Sequence, residues 1–91
     1  MGIQEGAATL ANVNGNASNV TLLAANSNRR GFRIFNDSPA LLYVKYGQTA
    51  TTTSFTVLLG ANDYLEERFY SGQVDGIWSS AAGAARVTEL T

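Results

Sequence analysis

The sequence predicts an all-β fold, a small antiparallel β-sandwich or barrel of seven to eight short strands preceded by a flexible N-terminal arm. Three observations carry that expectation. From Asn28 onward the chain is a series of short β-type runs (GFRIFND, ALLYVKYG, TSFTVLLG, DYLEERFYSG, VDGIWSS, ARVTELT) separated by turn residues. No window competes as a long helix, since ANDYLEERF, the one helix-friendly stretch, has room for barely two turns. And 91 residues suffice for one core and one domain, with turn signals at the spacing of an all-β fold rather than a βαβ unit.

Residues 1–18 are rich in Gly, Ala, Asn and Ser without a sustained period, which predicts an arm or a loosely held first strand and places the start of the sandwich domain at Asn19. VTLLAA is the first confident strand, closed by the turn chemistry of Asn26, Ser27 and Asn28. In GFRIFN, Phe32 and Ile34 share the inward face while Arg33 and Phe35 point the other way. Asn36-Asp37-Ser38-Pro39 is a concentrated turn signal, so residues 30–36 and 40–46 are expected to form a hairpin. Leu42, Val44 and Tyr46 make the core face of the next strand, with Lys45 on the wet side. GQTATTT reads as an exposed tip, and the strand after it sets Phe55, Val57 and Leu59 on one face. Residues 64–70 form a strand in which Leu65 and Phe69 flank an outward or edge position at Glu67. Ile77 and Trp78 fall on opposite faces of residues 74–79, and a small-residue connection at 81–84 leads into the last strand.

Composition narrows the function classes. Hydrophobic residues make up 45% and charged residues 14%, against roughly 25% charged in an ordinary soluble domain, so part of the surface is expected to be covered by other protein. A net charge of −1 leaves no electrostatic footprint for nucleic acid or an acidic membrane. The absence of cysteine removes disulfides and thiolate metal sites, leaving stability to packing or oligomerisation. With no signal-peptide pattern and no long apolar run, synthesis in a cytoplasm without membrane insertion is expected.

Chemistry is equally restricted. A Ser-His-acid relay is excluded by the lack of histidine, and a Ser–Lys pair would have to recruit Lys45, the sole lysine. Glu66 and Glu67 are adjacent on a strand, point to opposite faces and cannot act together as acid and base. Asp63, Glu66 and Asp75 do not form a compact calcium loop. No catalytic, cofactor or metal site is therefore expected. What remains is binding surface: the arginines Arg29, Arg30 and Arg33, read either as a contact patch or as a solvated edge that discourages strand pairing, the aromatics Tyr64, Tyr70 and Trp78, a type that fills protein interfaces, and Glu67 as a charge near a subunit contact. Tyr43, Tyr46, Tyr64, Tyr70 and Trp78 also fit a stacking platform for sugar rings, with the loop 47–53 beside it.

The stretch from Asn28 to Leu90, with its Arg-rich strand leading into IFNDS, then LYVKYG, SFTV, an aromatic-acid strand and DGIW followed by ARVTE, resembles a family of small virion structural proteins of tailed bacteriophages and prophages. At Tyr64-Leu65-Glu66-Glu67-Arg68 the chain departs from the tyrosine-rich, proline-ended segment of that family, which points to a different neighbour for this strand. The resemblance implies a capsid decoration (cement) protein with a β-sandwich fold, or else a small fibre or neck subunit. It further implies the major capsid protein or another virion protein as partner, a homo-oligomer such as a trimer, location in the virion after assembly in the host cytoplasm, and no catalytic or cofactor residues.

Overall fold

The computed structural model describes residues 6–91. Eight strands run in the order β1 (Ala8–Asn14), β2 (Val20–Leu23), β3 (Gly31–Asp37), β4 (Leu42–Tyr46), β5 (Val57–Leu59), β6 (Tyr64–Glu67), β7 (Val74–Trp78) and β8 (Ala84–Leu90). They form two antiparallel four-stranded sheets, β1-β8-β3-β6 and β2-β7-β4-β5. The all-β sandwich read from the sequence is the fold observed, and the segment ANDYLEERF contributes strand β6 rather than a helical turn. The strand order is that of a jelly roll, in which the first four strands pair in sequence with the last four as one long wrapped hairpin.

The core is the set of alternating inward positions from both sheets: Phe32 and Ile34 of β3, Val87 of β8 and Leu65 of β6 facing Leu42 and Val44 of β4, Val74 and Trp78 of β7 and Leu59 of β5. All are buried, and Trp78 is only 1% exposed. Gly76 in β7 has a packing reason: a Cβ there would lie 2.8 Å from Leu22 Cδ1, so only glycine lets β2 close over the sheet.

Two expectations are corrected here. The hairpin expected of residues 30–36 and 40–46 does not form, because β3 pairs with β6 and β8 while β4 pairs with β5 and β7 in the other sheet. The segment between them is a corner that crosses the core, and Asn36 makes the crossing possible. Its buried amide donates to the carbonyl oxygens of Ala40 (2.8 Å), Leu59 (3.1 Å) and Gly60 (3.0 Å), and its Oδ1 accepts from Ser38 Oγ (2.8 Å) and Trp78 Nε1 (3.2 Å). A corner needs its inward backbone groups satisfied by side chains, and a buried Asn supplies both donors and acceptor.

The second correction concerns the N-terminus. The first five residues of the expected arm lie outside the described residues, but residues 8–14 form β1 in unbroken register with β8, from Ala8 opposite Leu90 to Asn14 opposite Ala84. The sandwich thus starts at Ala8 rather than Asn19. Ala and Asn are poor strand formers, so β1 owes its conformation to the ladder with β8. It remains exposed on both faces, with only Val13 packing at the margin of the core.

Candidate functional site

The register of β8, β3 and β6 decides which polar side chains share the outer face of the first sheet. Arg33 stands opposite Thr88 on one side and Glu66 on the other, and Phe35 opposite Arg86 and Tyr64. The Arg33 guanidinium lies over the Tyr64 ring at 4.3 Å from its centroid, a cation–π pair that holds both side chains in place while Tyr64 stays 53% exposed. Arg86 bonds Asp37 across the strands at 3.0 Å, both half exposed.

Where this face meets the strand ends at residues 30–31, 67–68 and 90–91, an open groove of about 900 Å³ forms, with Arg30, Arg33, Arg68, Glu66 and Glu67 among its walls. Gly31 lets the groove floor lie close, since a Cβ there would meet the Glu67 carbonyl oxygen at 3.0 Å. The Glu67 carboxylate accepts from the backbone N–H groups of Arg68 and Phe69, each at 3.1 Å. The Phe69 N–H above all, with help from the Tyr46 hydroxyl and the Arg68 N–H, holds this carboxyl below its usual range. Burial first, and the neighbouring Glu67 carboxylate second, push the Tyr46 hydroxyl up to about 12.

Of the seven residues read as interface candidates, Arg30, Arg33, Tyr64 and Glu67 come together on this face and groove. Of the other three, Trp78 and Arg29 are interior, a correction with a clear cause, while Tyr70 is half-buried and engaged with its neighbours. Trp78 points into the core, where its indole N–H is taken by Asn36. Arg29 is a buried clasp: Nε donates to Glu89 (2.9 Å), Nη1 to the carbonyls of Tyr70 (3.2 Å) and Gly72 (2.8 Å), and Nη2 to that of Ala24. It also lies 5.4 Å from the Phe32 ring. Tyr70 stacks on Tyr46 at 5.1 Å and donates its hydroxyl to the Gln73 carbonyl, so its ring is spent on contacts within the molecule. The reading of Arg29 as a solvated edge fails because its side chain is fully buried and its donors are taken by the Glu89 carboxylate and three backbone carbonyls.

The outer face of the second sheet is different. The loop 47–53, expected as an exposed tip, is exposed at Gln48, Thr49, Thr51, Thr52 and Thr53 but anchored over this face at Ala50, which is 1% exposed and whose N–H donates to Asn19 Oδ1 at 2.9 Å. Beneath it Asp75, also 1% exposed, accepts from Asn19 Nδ2 (3.2 Å) and Gln73 Nε2 (2.8 Å). The sole lysine does reach a serine, Lys45 Nζ donating to Ser54 Oγ at 2.8 Å, and with a second bond to the Thr49 carbonyl it ties down the same loop. Away from the loop this face is apolar, with Tyr43 and Phe55 packed edge to face at 5.0 Å beside exposed Leu41 and Leu58.

Sequence reasoning missed Asn36 and Asp75 as buried polar centres. Both sit next to strong strand residues, but Asn36 looked like ordinary turn chemistry and Asp75 was weighed only as a calcium ligand. Asp63, Glu66 and Asp75 stay apart, and among the described residues no group of three or more acidic side chains is placed to hold a metal ion. The first sheet's outer face thus offers positioned cations beside an exposed aromatic.

The class of protein defined by this fold is a small all-β jelly-roll sandwich, a scaffold that serves many unrelated functions. No family model, curated protein or solved structure matches the chain.

Proposed function

We propose that this chain is a non-enzymatic virion structural protein, a capsid decoration (cement) subunit that binds the outer shell as an oligomer and bridges neighbouring coat subunits. The observation that carries the reading is the outer face of the first sheet, where Arg33 is stacked on exposed Tyr64 beside the arginine-bearing groove. Arg and Tyr held rigidly at a partly desolvated surface are the residue types that dominate protein interfaces. The resemblance of residues 28–90 to phage virion proteins supplies the partner class, a coat protein, and jelly rolls recur in viral shells.

Quantitative mass spectrometry of purified particles encoded with this protein tests the role, and many copies per particle are expected. A few copies per particle would move the chain to a neck or fibre position, and none would sink the reading. Rebinding to shells stripped of the protein is expected to fall at least tenfold for Arg33→Glu with Tyr64→Ala.

A second reading, a glycan- or receptor-binding module of the virion, is favoured by one observation, the Tyr43–Phe55 pair on the apolar face of the second sheet. It replaces Tyr46 and Tyr70 as the sugar platform, since their rings are half-buried and stacked against each other. Sugar binding lost in Tyr43→Ala, with shell attachment intact, would decide for it.

A further inference from the structure

Each sheet ends in two strands whose outer backbone groups are open to pairing, and three of these four edges carry a device that discourages it. Edge strand β6 ends in the charges Glu66 and Glu67 with Arg68 following. Edge strand β5 is only three residues long. Edge strand β2 is broken by a register shift between Thr21 and Leu23. Edge strand β1 has none of these: seven residues, ATLANVN, with no charge, no proline and no irregularity in its ladder. Among the described residues nothing pairs with its outer side.

We propose that the outer edge of β1 pairs with the same edge of a second copy of this chain, giving a two-fold dimer in which the first sheets join into one continuous sheet.

The hydrogen-bonding parity of β1 and full overlap of its seven residues together determine the register. The Ala7 carbonyl accepts from Thr91 N–H and Gly15 N–H donates to the Gly83 carbonyl, so the odd-numbered residues of β1 direct their backbone groups toward β8. Ala8, Leu10, Asn12 and Asn14 therefore direct theirs to the free edge. An antiparallel two-fold pairing centred on Ala11 sets Ala8 opposite Asn14 of the second copy and Leu10 opposite Asn12, and each of these pairs exchanges both of its bonds. Ala11 then faces its own copy at the axis, in a non-hydrogen-bonded pair.

This register also answers what covers Leu10, which is 75% exposed on the outer face. With Leu10 opposite Asn12 of the second copy, the two Leu10 side chains become diagonal neighbours across the seam, within reach of each other. No charged side chain lies on either strand of the seam, so the pairing sets no like charges against each other. A seven-residue edge is about 23 Å long, and burying it covers well under the ~1,600 Å² of a standard interface. The dimer is accordingly concentration-dependent, formed where copies are crowded and dissociated when dilute. It is two-fold, in contrast to the trimer implied by the family resemblance, and it does not depend on the virion reading.

The chain has no cysteine, so a single introduced thiol reports the seam directly. Across an antiparallel non-hydrogen-bonded pair the Cα separation is about 4.5 Å, within the range a disulfide spans. Full-length Ala11→Cys under mild oxidation should run as a covalent species of twice 9.7 kDa, whereas Leu58→Cys on edge strand β5 should remain largely monomeric. Light scattering of the unmodified chain should show its mass climbing toward two copies with concentration. Asn12→Pro removes only a donor that points away from β8, so it should abolish this self-association while leaving the circular dichroism spectrum and melting temperature nearly unchanged. A monomer at every concentration, a limiting mass of three copies, or equal cross-linking through position 58 would overturn the proposal.

Discussion

Arg29 and Arg33 lie four residues apart, and Trp78 and Tyr64 are both large aromatics of strand ends, yet one member of each pair is buried and the other is on the outer face of the first sheet. The interior pair is saturated. Arg29 has four acceptors and an aromatic ring around it, and Trp78 donates to Asn36. The exterior pair is held but unsaturated: Arg33 rests on Tyr64, and no salt bridge engages Arg33 among the described residues. The same residue types thus serve as rivets where backbone carbonyls converge on them and as contact groups where they do not. Residue type alone marks both kinds of site, and the partners within reach decide which one it becomes.

Paired substitutions break this contrast if it is wrong. Trp78→Ala should be the most damaging, removing about 3–5 kcal/mol through lost burial and the cavity left behind. It also removes one of the two donors to Asn36 Oδ1, leaving that from Ser38. Tyr64→Ala, on the outer face, should stay within about 1 kcal/mol, the worth of its cation–π contact. Urea unfolding followed by tryptophan fluorescence measures Tyr64→Ala, and circular dichroism measures Trp78→Ala. Equal losses at the two positions would mean that the outer face is a structural element and not a docking surface.

Arg29→Met and Arg33→Met make the second pair. Removing one partner of a buried ion pair costs about 3–5 kcal/mol, and the lower end applies here because Glu89 keeps 18% of its side chain in water. Three backbone carbonyls lose their donor as well. Arg33→Met should change stability by about 0.5 kcal/mol, with its effect confined to attachment. A melting temperature equally insensitive to both changes would remove Arg29 from the interior set.

How far this division was legible in the sequence depended on whether the cause was local. Alternation placed Phe32, Ile34, Leu42 and Val44 on inward faces correctly, because the period-2 pattern is a property of the strand itself. It could not tell a hairpin from a sheet-crossing corner at residues 36–39, since both use the same turn chemistry. Strand β1 was legible only as one of two alternatives, an arm or a loosely held first strand, because ATLANVN has little intrinsic preference for a strand and is held by β8, seventy or more positions away in sequence. Within the site, Arg30, Arg33, Tyr64 and Glu67 were recognisable by type, but their grouping comes from the pairing of β3 with β6. Charge was expected to be sparse on all outward faces. Instead it is concentrated on the first sheet's face and groove, while the second sheet's face is apolar or roofed by the loop 47–53.

Glu67 and Tyr46 sit at the boundary between the two regions, and their titration gives the smallest and sharpest test. Tyr46 is raised from its ordinary value of 10.0 to about 12. The folded state therefore holds this proton more tightly than the unfolded chain, so the contribution is fully present below about pH 10 and is lost as pH rises through about 12. Glu67 is shifted the other way. Its folded carboxyl lies below the ordinary 4.5, so its contribution is present above that value and fades as pH falls through the lowered one. The tyrosinate absorbance of the folded protein should show one group titrating near 12, and Tyr46→Phe should remove it. Glu67→Gln should lower that titration without returning it to 10.0, because burial is the larger cause and survives the substitution. A full return to 10.0 would place the carboxylate, and with it the groove, in control of a ring whose shift is otherwise set by its half-buried position against the core.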